Sequence, residues 1–217
     1  VKLREDKAFR YAESSLLLSG NAMLRDLADV ISFKTVFILQ GETLPPNFRT
    51  ESVVVVTEEV LKKICGVAQP ETLAAIADMP APGSLQDKKA ILILDAIADP
   101  GNMGTLLRSA ISFGWDAVFL TPNCVDPFNE KCLRAPKGAT FAIPIIQGSK
   151  ETLIKCHAPI FVADRNGKNI LTCQFTPPFA LVLGNESHGP SDFFSKYPRV
   201  SVPISDKMES LNVAIAG

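Results

Sequence analysis

Three loops concentrate the side chains able to do chemistry. The first runs from Asp95 through Asp99-Pro100-Gly101-Asn102-Met103-Gly104 into a segment ending at Arg108-Ser109-Ala110. The second is Leu183-Gly184-Asn185-Glu186-Ser187-His188-Gly189-Pro190. The third joins Val200-Ser201-Val202-Pro203-Ile204 to Ser210-Leu211-Asn212-Val213. Glycines let backbone come close to a ligand, and Glu186 stands where a carboxylate would face one. Each loop taken alone also has a structural reading: Asn102 as a helix cap, the Gly184–Pro190 stretch as a glycine-rich turn with a loop histidine, and Ser210 with Asn212 as the opening of a helix.

The segments that carry these loops read as buried strands. Ala90-Ile91-Leu92-Ile93-Leu94 is an unbroken apolar run, as a strand covered on both faces requires. Val118–Leu120, Ile160–Val162 and Phe179–Leu183 repeat it, with helix-compatible sequence between. The expectation is an α/β domain with a mainly parallel sheet, whose ligands gather at the carboxyl ends of the strands. Upstream, Glu13–Val30, Thr35–Leu39, Val53–Val56, a helix at Glu58–Cys65 and Thr72–Ala77 describe a smaller α/β unit. Met79-Pro80-Ala81-Pro82-Gly83-Ser84 opposes both helix and ladder, which divides the chain into a domain at 1–80, a linker at 81–86 and a domain at 87–217.

Composition removes several alternatives. Hydrophobic residues make up 47% and charged residues 21% of the 217, as a globular chain requires, and apolar runs such as Ser52–Thr57 fall far short of the roughly 20 residues that span a bilayer. The five cysteines form no Cys-x-x-Cys pair, and His157 and His188 are not spaced as zinc ligands, so reduced thiols and no metal are expected. With 22 basic and 23 acidic side chains, the chain is no general polyanion binder. Any nucleic-acid contact must use a local cluster such as Lys131, Arg134 and Lys137. The start, Val1-Lys2-Leu3-Arg4-Glu5-Asp6, has no signal-like core, so a targeting peptide would precede it and the compartment stays open: cytoplasm, mitochondrion or plastid.

In order and spacing, the three loops resemble the motifs of the SpoU (TrmH) family of RNA ribose methyltransferases, part of the knotted SPOUT class. Asn102, Gly104 and Arg108 match its Asn-x-Gly-x-x-x-Arg element, Gly184, Glu186 and Gly189 its Gly-x-Glu-x-x-Gly element, and Ser210–Val213 its Ser-Leu-Asn-Val element. The resemblance covers residues 90–217. The preceding segment is similar to the family's ribosomal-protein-like substrate-binding domain, with Gly66-Val67-Ala68-Gln69-Pro70 at its usual exit and Leu18-Ser19-Gly20-Asn21 where Glu-Gly is usual.

This resemblance implies a trefoil-knotted methyltransferase domain, S-adenosylmethionine as methyl donor, and an obligate homodimer whose site draws on both subunits. It implies RNA as substrate, ribosomal RNA ahead of transfer RNA, with a non-catalytic RNA-binding or ribosome-assembly role and base methylation by a related knotted enzyme as the rivals. Asn102, Arg108, Glu186, Ser210 and Asn212 become the catalytic set. Leu183, Gly184, Val202, Ile204 and Leu211 become the cofactor wall, and Lys131 and Arg134 the contacts to the RNA backbone. A ribose hydroxyl is a poor nucleophile, so in-line placement and loss of one proton are what this set must supply. A guanidinium does not give up its proton near neutral pH, so Arg108 is expected to fork a phosphate that accepts the proton instead. The helix at Ala216-Gly217 is expected to continue in the family and to contribute to the dimer.

Overall fold

The computed structural model describes residues 1–134, 138–156, 158–205, 207–208 and 210–217. Lys137 and His157 therefore lie outside the described residues. The chain forms two compact units: Val1–Ala81 together with Asp126–Gly138, and Pro82–Val125 together with Ala139–Gly217.

The first unit begins with short helices α1 (Lys2–Glu5) and α2 (Lys7–Ala12), followed by β1 (Ser15–Ser19), α3 (Asn21–Ala28), β2 (Phe33–Leu39), β3 (Thr50–Val56), α4 (Glu58–Cys65) and β4 (Leu73–Asp78). Its sheet has the order β1-β4-β2-β3, with β4 antiparallel to both neighbours and β2 parallel to β3. Helix α4 starts where the Thr57 hydroxyl accepts from the Val60 N–H and stops at Gly66, whose φ of +69° is the left-handed conformation that ends helices. Leu61 and Cys65 face inward from it against Val56 and Ala74.

Segment Asp126–Gly138, which follows residues of the second unit in sequence, belongs to this first unit and is tied into it by a buried ion pair. The Arg10 guanidinium meets the Asp126 carboxylate at 2.5 Å, the two side chains being 4% and 8% exposed. Arg10 also donates to the carbonyls of Leu3 and Arg4, and the Tyr11 hydroxyl donates to Asp126. Leaving either charge alone in such a setting costs about 3–5 kcal/mol, so the pair holds the segment firmly. Helix α6 (Glu130–Arg134) then buries Cys132 and Leu133.

The second unit contains β5 (Ala90–Leu94), α5 (Pro100–Ser112), β6 (Ala117–Leu120), β7 (Ile145–Gln147), β8 (Ile160–Asn169), β9 (Phe179–Leu183), β10 (Arg199–Ser201) and α7 (Val213–Ala216). Its six strands are ordered β10-β8-β9-β5-β6-β7, and every adjacent pair is parallel. Side chains from β5, β6, β8 and β9 form one core of Ile91, Ile93, Phe119, Ile160, Val162, Ala180 and Val182, all 6% exposed or less. From β5 the chain moves outward on one side through β6 and β7, then crosses to build β8, β9 and β10 on the other. The order reverses beside β5, and an open parallel sheet binds ligands at the carboxyl ends next to such a reversal. No described helix is long and apolar enough to cross a membrane.

Candidate active site

All three loops emerge at that end of the second unit's sheet. Loop 95–99 leaves β5 and feeds α5. Asp99 caps this helix, its carboxylate accepting from the Asn102 N–H at 2.7 Å, and Pro100 takes the first helical position. Asn102 is therefore not the cap that its sequence position suggested. With Asp99 in that role, the Asn102 side chain is free to reach across: its Nδ2 donates to Glu186 Oε1 at 2.9 Å and its Oδ1 accepts from Asn212 Nδ2 at 3.0 Å. One residue from each loop thus joins a single hydrogen-bonded chain, Asn212–Asn102–Glu186. Asn212 also caps α7 by accepting from the Ala214 N–H, as a helix opening there predicts.

Loop 184–190 is closed tightly on itself. Asn185 and Gly189 exchange both backbone hydrogen bonds, and Gly189 has a φ of +69°. A Cβ on Gly184 would collide with the Pro190 nitrogen and the Gly189 carbonyl carbon. The Asn185 carbonyl oxygen of the side chain accepts from the Ser187 and His188 N–H groups, which leaves His188 an exposed loop residue. Asn185 Nδ2 donates to the Ala96 carbonyl at 2.8 Å and ties this loop to the first.

Glu186 is exposed, yet its carboxyl is held below the usual glutamate range. Partial burial pushes it up, but donation from Asn102, from its own N–H and from the Ala98 and Asp99 N–H groups outweighs that. A depressed value stabilises the fold fully above the ordinary pKa of about 4.3 and loses that contribution as pH falls through the lower folded value. The melting-temperature gap between wild type and Glu186→Gln should therefore be constant at neutral pH and close only below the ordinary glutamate range. Because the site is exposed, the gap should not exceed about a degree or two.

A cavity of about 900 Å³ opens beside this chain. Its wall includes all five residues expected to hold a cofactor, Leu183, Gly184, Val202, Ile204 and Leu211, together with Glu186, Ser210 and Asn212. Val202 and Leu211 are 41% and 36% exposed, apolar surface left open to a ligand. The volume lies within the roughly 300–1,000 Å³ of small-molecule sites, and apolar loops closed over a tight glycine turn suit a nucleoside such as that of S-adenosylmethionine.

Arg108 is not brought to this cavity. It is exposed on α5, six residues beyond Asn102, which in an ideal helix is about 120° around the axis and about 9 Å along it. Lys131 and Arg134 sit on α6 in the first unit. Lys131 is exposed, whereas Arg134 pairs with Glu130 and donates to the Cys65 carbonyl at 3.1 Å. Sequence reasoning passed over Asp99 and Asn185. The Asp-Pro-Gly string is a helix-start signature that would have identified the first, whereas the tie from Asn185 to Ala96 spans 89 residues and has no local signal. Among the described residues no cluster of His, Cys, Asp or Glu could hold a metal, and none of the five cysteines forms a disulfide, Cys65 and Cys132 being buried and the other three partly so.

Comparison with known proteins places this geometry. The model of the SpoU rRNA Methylase family matches residues 89–217. Over 97% of its length the chain is 28% identical to 88% of the 23S rRNA (guanosine(2553)-2'-O)-methyltransferase RlmP of Bacillus subtilis. It is 32% identical over 76% of its length to rRNA methyltransferase 3, mitochondrial, of Xenopus laevis, spanning 43% of that longer protein. A solved TrmH-family structure from Porphyromonas gingivalis superposes with a TM-score of 0.83 at 27% identity, covering 99% of this chain and 91% of the other. The chain belongs to the SpoU rRNA Methylase family, RNA methyltransferases that take their methyl group from S-adenosylmethionine.

Proposed function

We propose that this protein methylates a ribose 2'-hydroxyl of ribosomal RNA, acting as a homodimer inside the cell, in the cytoplasm or an organelle. The observation that carries the reading is the Asn212–Asn102–Glu186 chain at the rim of the 900 Å³ cavity, because it joins one polar residue from each of the three loops beside an apolar wall. Bound there, S-adenosylmethionine supplies an activated sulfonium methyl group. Leu183, Val202, Ile204 and Leu211 would hold it and exclude water, with Gly184 offering backbone without a side chain in the way. Asn102, Glu186, Ser210 and Asn212 would orient the ribose and present its hydroxyl to the methyl donor.

Arg108 holds the RNA phosphate next to the target ribose, and that phosphate accepts the hydroxyl proton. Its place on α5, away from its own cavity, is accounted for if it serves the site of the partner subunit. The homodimer is supported further by Phe113 at the end of α5 and Ile215 on α7, which stand 76% and 74% exposed in the single chain. The mitochondrial and bacterial rRNA enzymes among its relatives favour ribosomal over transfer RNA. Labelled methyl transfer to purified ribosomal and transfer RNA in parallel tests the reading: label should enter the ribosomal RNA at least about tenfold faster. Equal or reversed rates would contradict the assignment of substrate.

Within the first unit, exposed Lys131 contacts the RNA backbone, with Arg134 committed more to Glu130 and Cys65. Lys131→Glu is expected to weaken RNA binding and to lower the slope of log K against log salt by about one, leaving S-adenosylmethionine affinity unchanged. Arg134→Glu should cost stability as well, since it removes the bond to the Cys65 carbonyl. Filter binding across a salt series measures the RNA affinity and its slope, and a thermal melt the stability.

A further inference from the structure

Asp95, the residue after the last of β5, is 1% exposed and does not itself line the cavity or belong to the Asn212–Asn102–Glu186 chain. Every partner of its carboxylate is a donor. Oδ1 accepts from the Thr121 hydroxyl at 2.8 Å and from Lys150 Nζ at 3.2 Å, and Oδ2 accepts from the Ser191 N–H at 2.8 Å. Lys150 Nζ also meets Ser191 Oγ at 2.5 Å. Although burial pushes the carboxyl up, donation from Ser191, Thr121 and Lys150 outweighs it and keeps Asp95 anionic. A buried ion pair can commonly be exchanged for apolar side chains without loss of stability, so stability alone does not explain a charge at this point.

Its partners come from three separate segments: the end of β6, the turn after β7 and the exit of the Gly184–Pro190 loop. Asp95 itself begins the loop that leads to Asn102. Its N–H donates to the Leu183 carbonyl at 2.9 Å. The next residue, Ala96, has a φ of +56°, unusual for a residue with a Cβ. Its N–H donates to Thr121 Oγ1 at 3.1 Å and its carbonyl accepts from Asn185. The roots of both loops that hold the Asn102–Glu186 bond are thus fastened by one carboxylate.

We propose that Asp95 is a positioning residue for the S-adenosylmethionine site, pinning the start of the 95–99 loop to the exit of the 184–190 loop so that Gly184 and Glu186 keep their places on the cavity wall. The proposal rests on reading that cavity as the cofactor site. An acceptor on both oxygens is what the three donors demand; an asparagine would present an NH2 group to at least one of them.

The test separates positioning from stability by calorimetric titration with S-adenosylmethionine alongside thermal melts. Asp95→Asn should raise the cofactor Kd about tenfold or more and lower the melting temperature, because it strands the Lys150 ammonium. Asp95→Leu combined with Lys150→Met removes both charges. It should recover the melting temperature but not the affinity. Thr121→Val, which leaves the ion pair in place, guards against misfolding of the double variant and should raise Kd about threefold or more with the RNA KM unchanged. Affinity that recovers together with the melting temperature, or Kd values within about twofold of wild type in Asp95→Asn or Thr121→Val, would show a structural role only and overturn the proposal. Failure of the wild-type protein to bind would instead show in its own titration and remove the reading of the cavity.

Discussion

Arg108→Ala is expected to lower the rate of methyl transfer by about 10³-fold while S-adenosylmethionine affinity stays within about twofold of wild type, as the proposed grip of its guanidinium on the RNA phosphate and not on the cofactor requires. Arg108→Lys keeps the charge and loses the planar fork, and should retain no more than about a tenth of the activity. Near-normal turnover in the lysine variant would remove the fork from the account. The same residue tests the dimer. Mixed with Glu186→Gln, Arg108→Ala should regain about a quarter of wild-type activity, since half the dimers formed at random carry one intact composite site out of two. If the mixture stays as inactive as its components, Arg108 serves its own chain.

Gly184→Ala has the second large effect, through backbone and not through a lost side chain. The added methyl would overlap the Pro190 nitrogen and the Gly189 carbonyl carbon, main-chain atoms held by the Asn185–Gly189 bonds. The loop must open to admit it, which displaces Glu186 from Asn102 and withdraws backbone from the cavity wall. Cofactor affinity should fall by about 10²-fold. Because the loop is at the surface, the fold should survive with a loss of about 1–3 kcal/mol. A calorimetric titration beside a denaturant melt distinguishes this outcome from simple unfolding.

These effects arise at places where local sequence was informative to different degrees. β5 at Ala90–Leu94, β9 at Phe179–Leu183 and α4 at Glu58–Cys65 were legible to the residue, because continuous apolar runs or a capped amphipathic stretch are bounded by turn-forming residues. β8 continues beyond Val162 to Asn169, and its later part Ala163–Asn169 is partly buried to exposed and largely polar. Pairing of Lys168 and Asn169 with β10, and not burial, keeps that part extended. Asn102 was misplaced as a cap because two candidate caps stand three residues apart, and Pro100 at the first helical position decides for Asp99.

The site itself was legible as three loops, since glycines and polar residues after buried strands are a local pattern. What joins them was not. The bonds Asn102–Glu186, Asn212–Asn102 and Asp95–Ser191 link residues 84, 110 and 96 positions apart, and no periodicity reports them. The Arg10–Asp126 pair, 116 positions apart, likewise gives the first unit a segment that lies far from it in the chain. Arg108 illustrates the converse: its motif spacing is plain in sequence, but the pitch of α5 turns it away from the cavity of its own chain.

The most direct test of the account is methyl transfer from labelled S-adenosylmethionine to ribosomal RNA, followed by complete alkaline hydrolysis. Alkali cleaves RNA through the free 2'-hydroxyl, so a methylated ribose protects the adjoining bond. Label should appear in alkali-resistant dinucleotides and be lost with Arg108→Ala; label in mononucleotides would place the methyl group on a base and contradict ribose methylation.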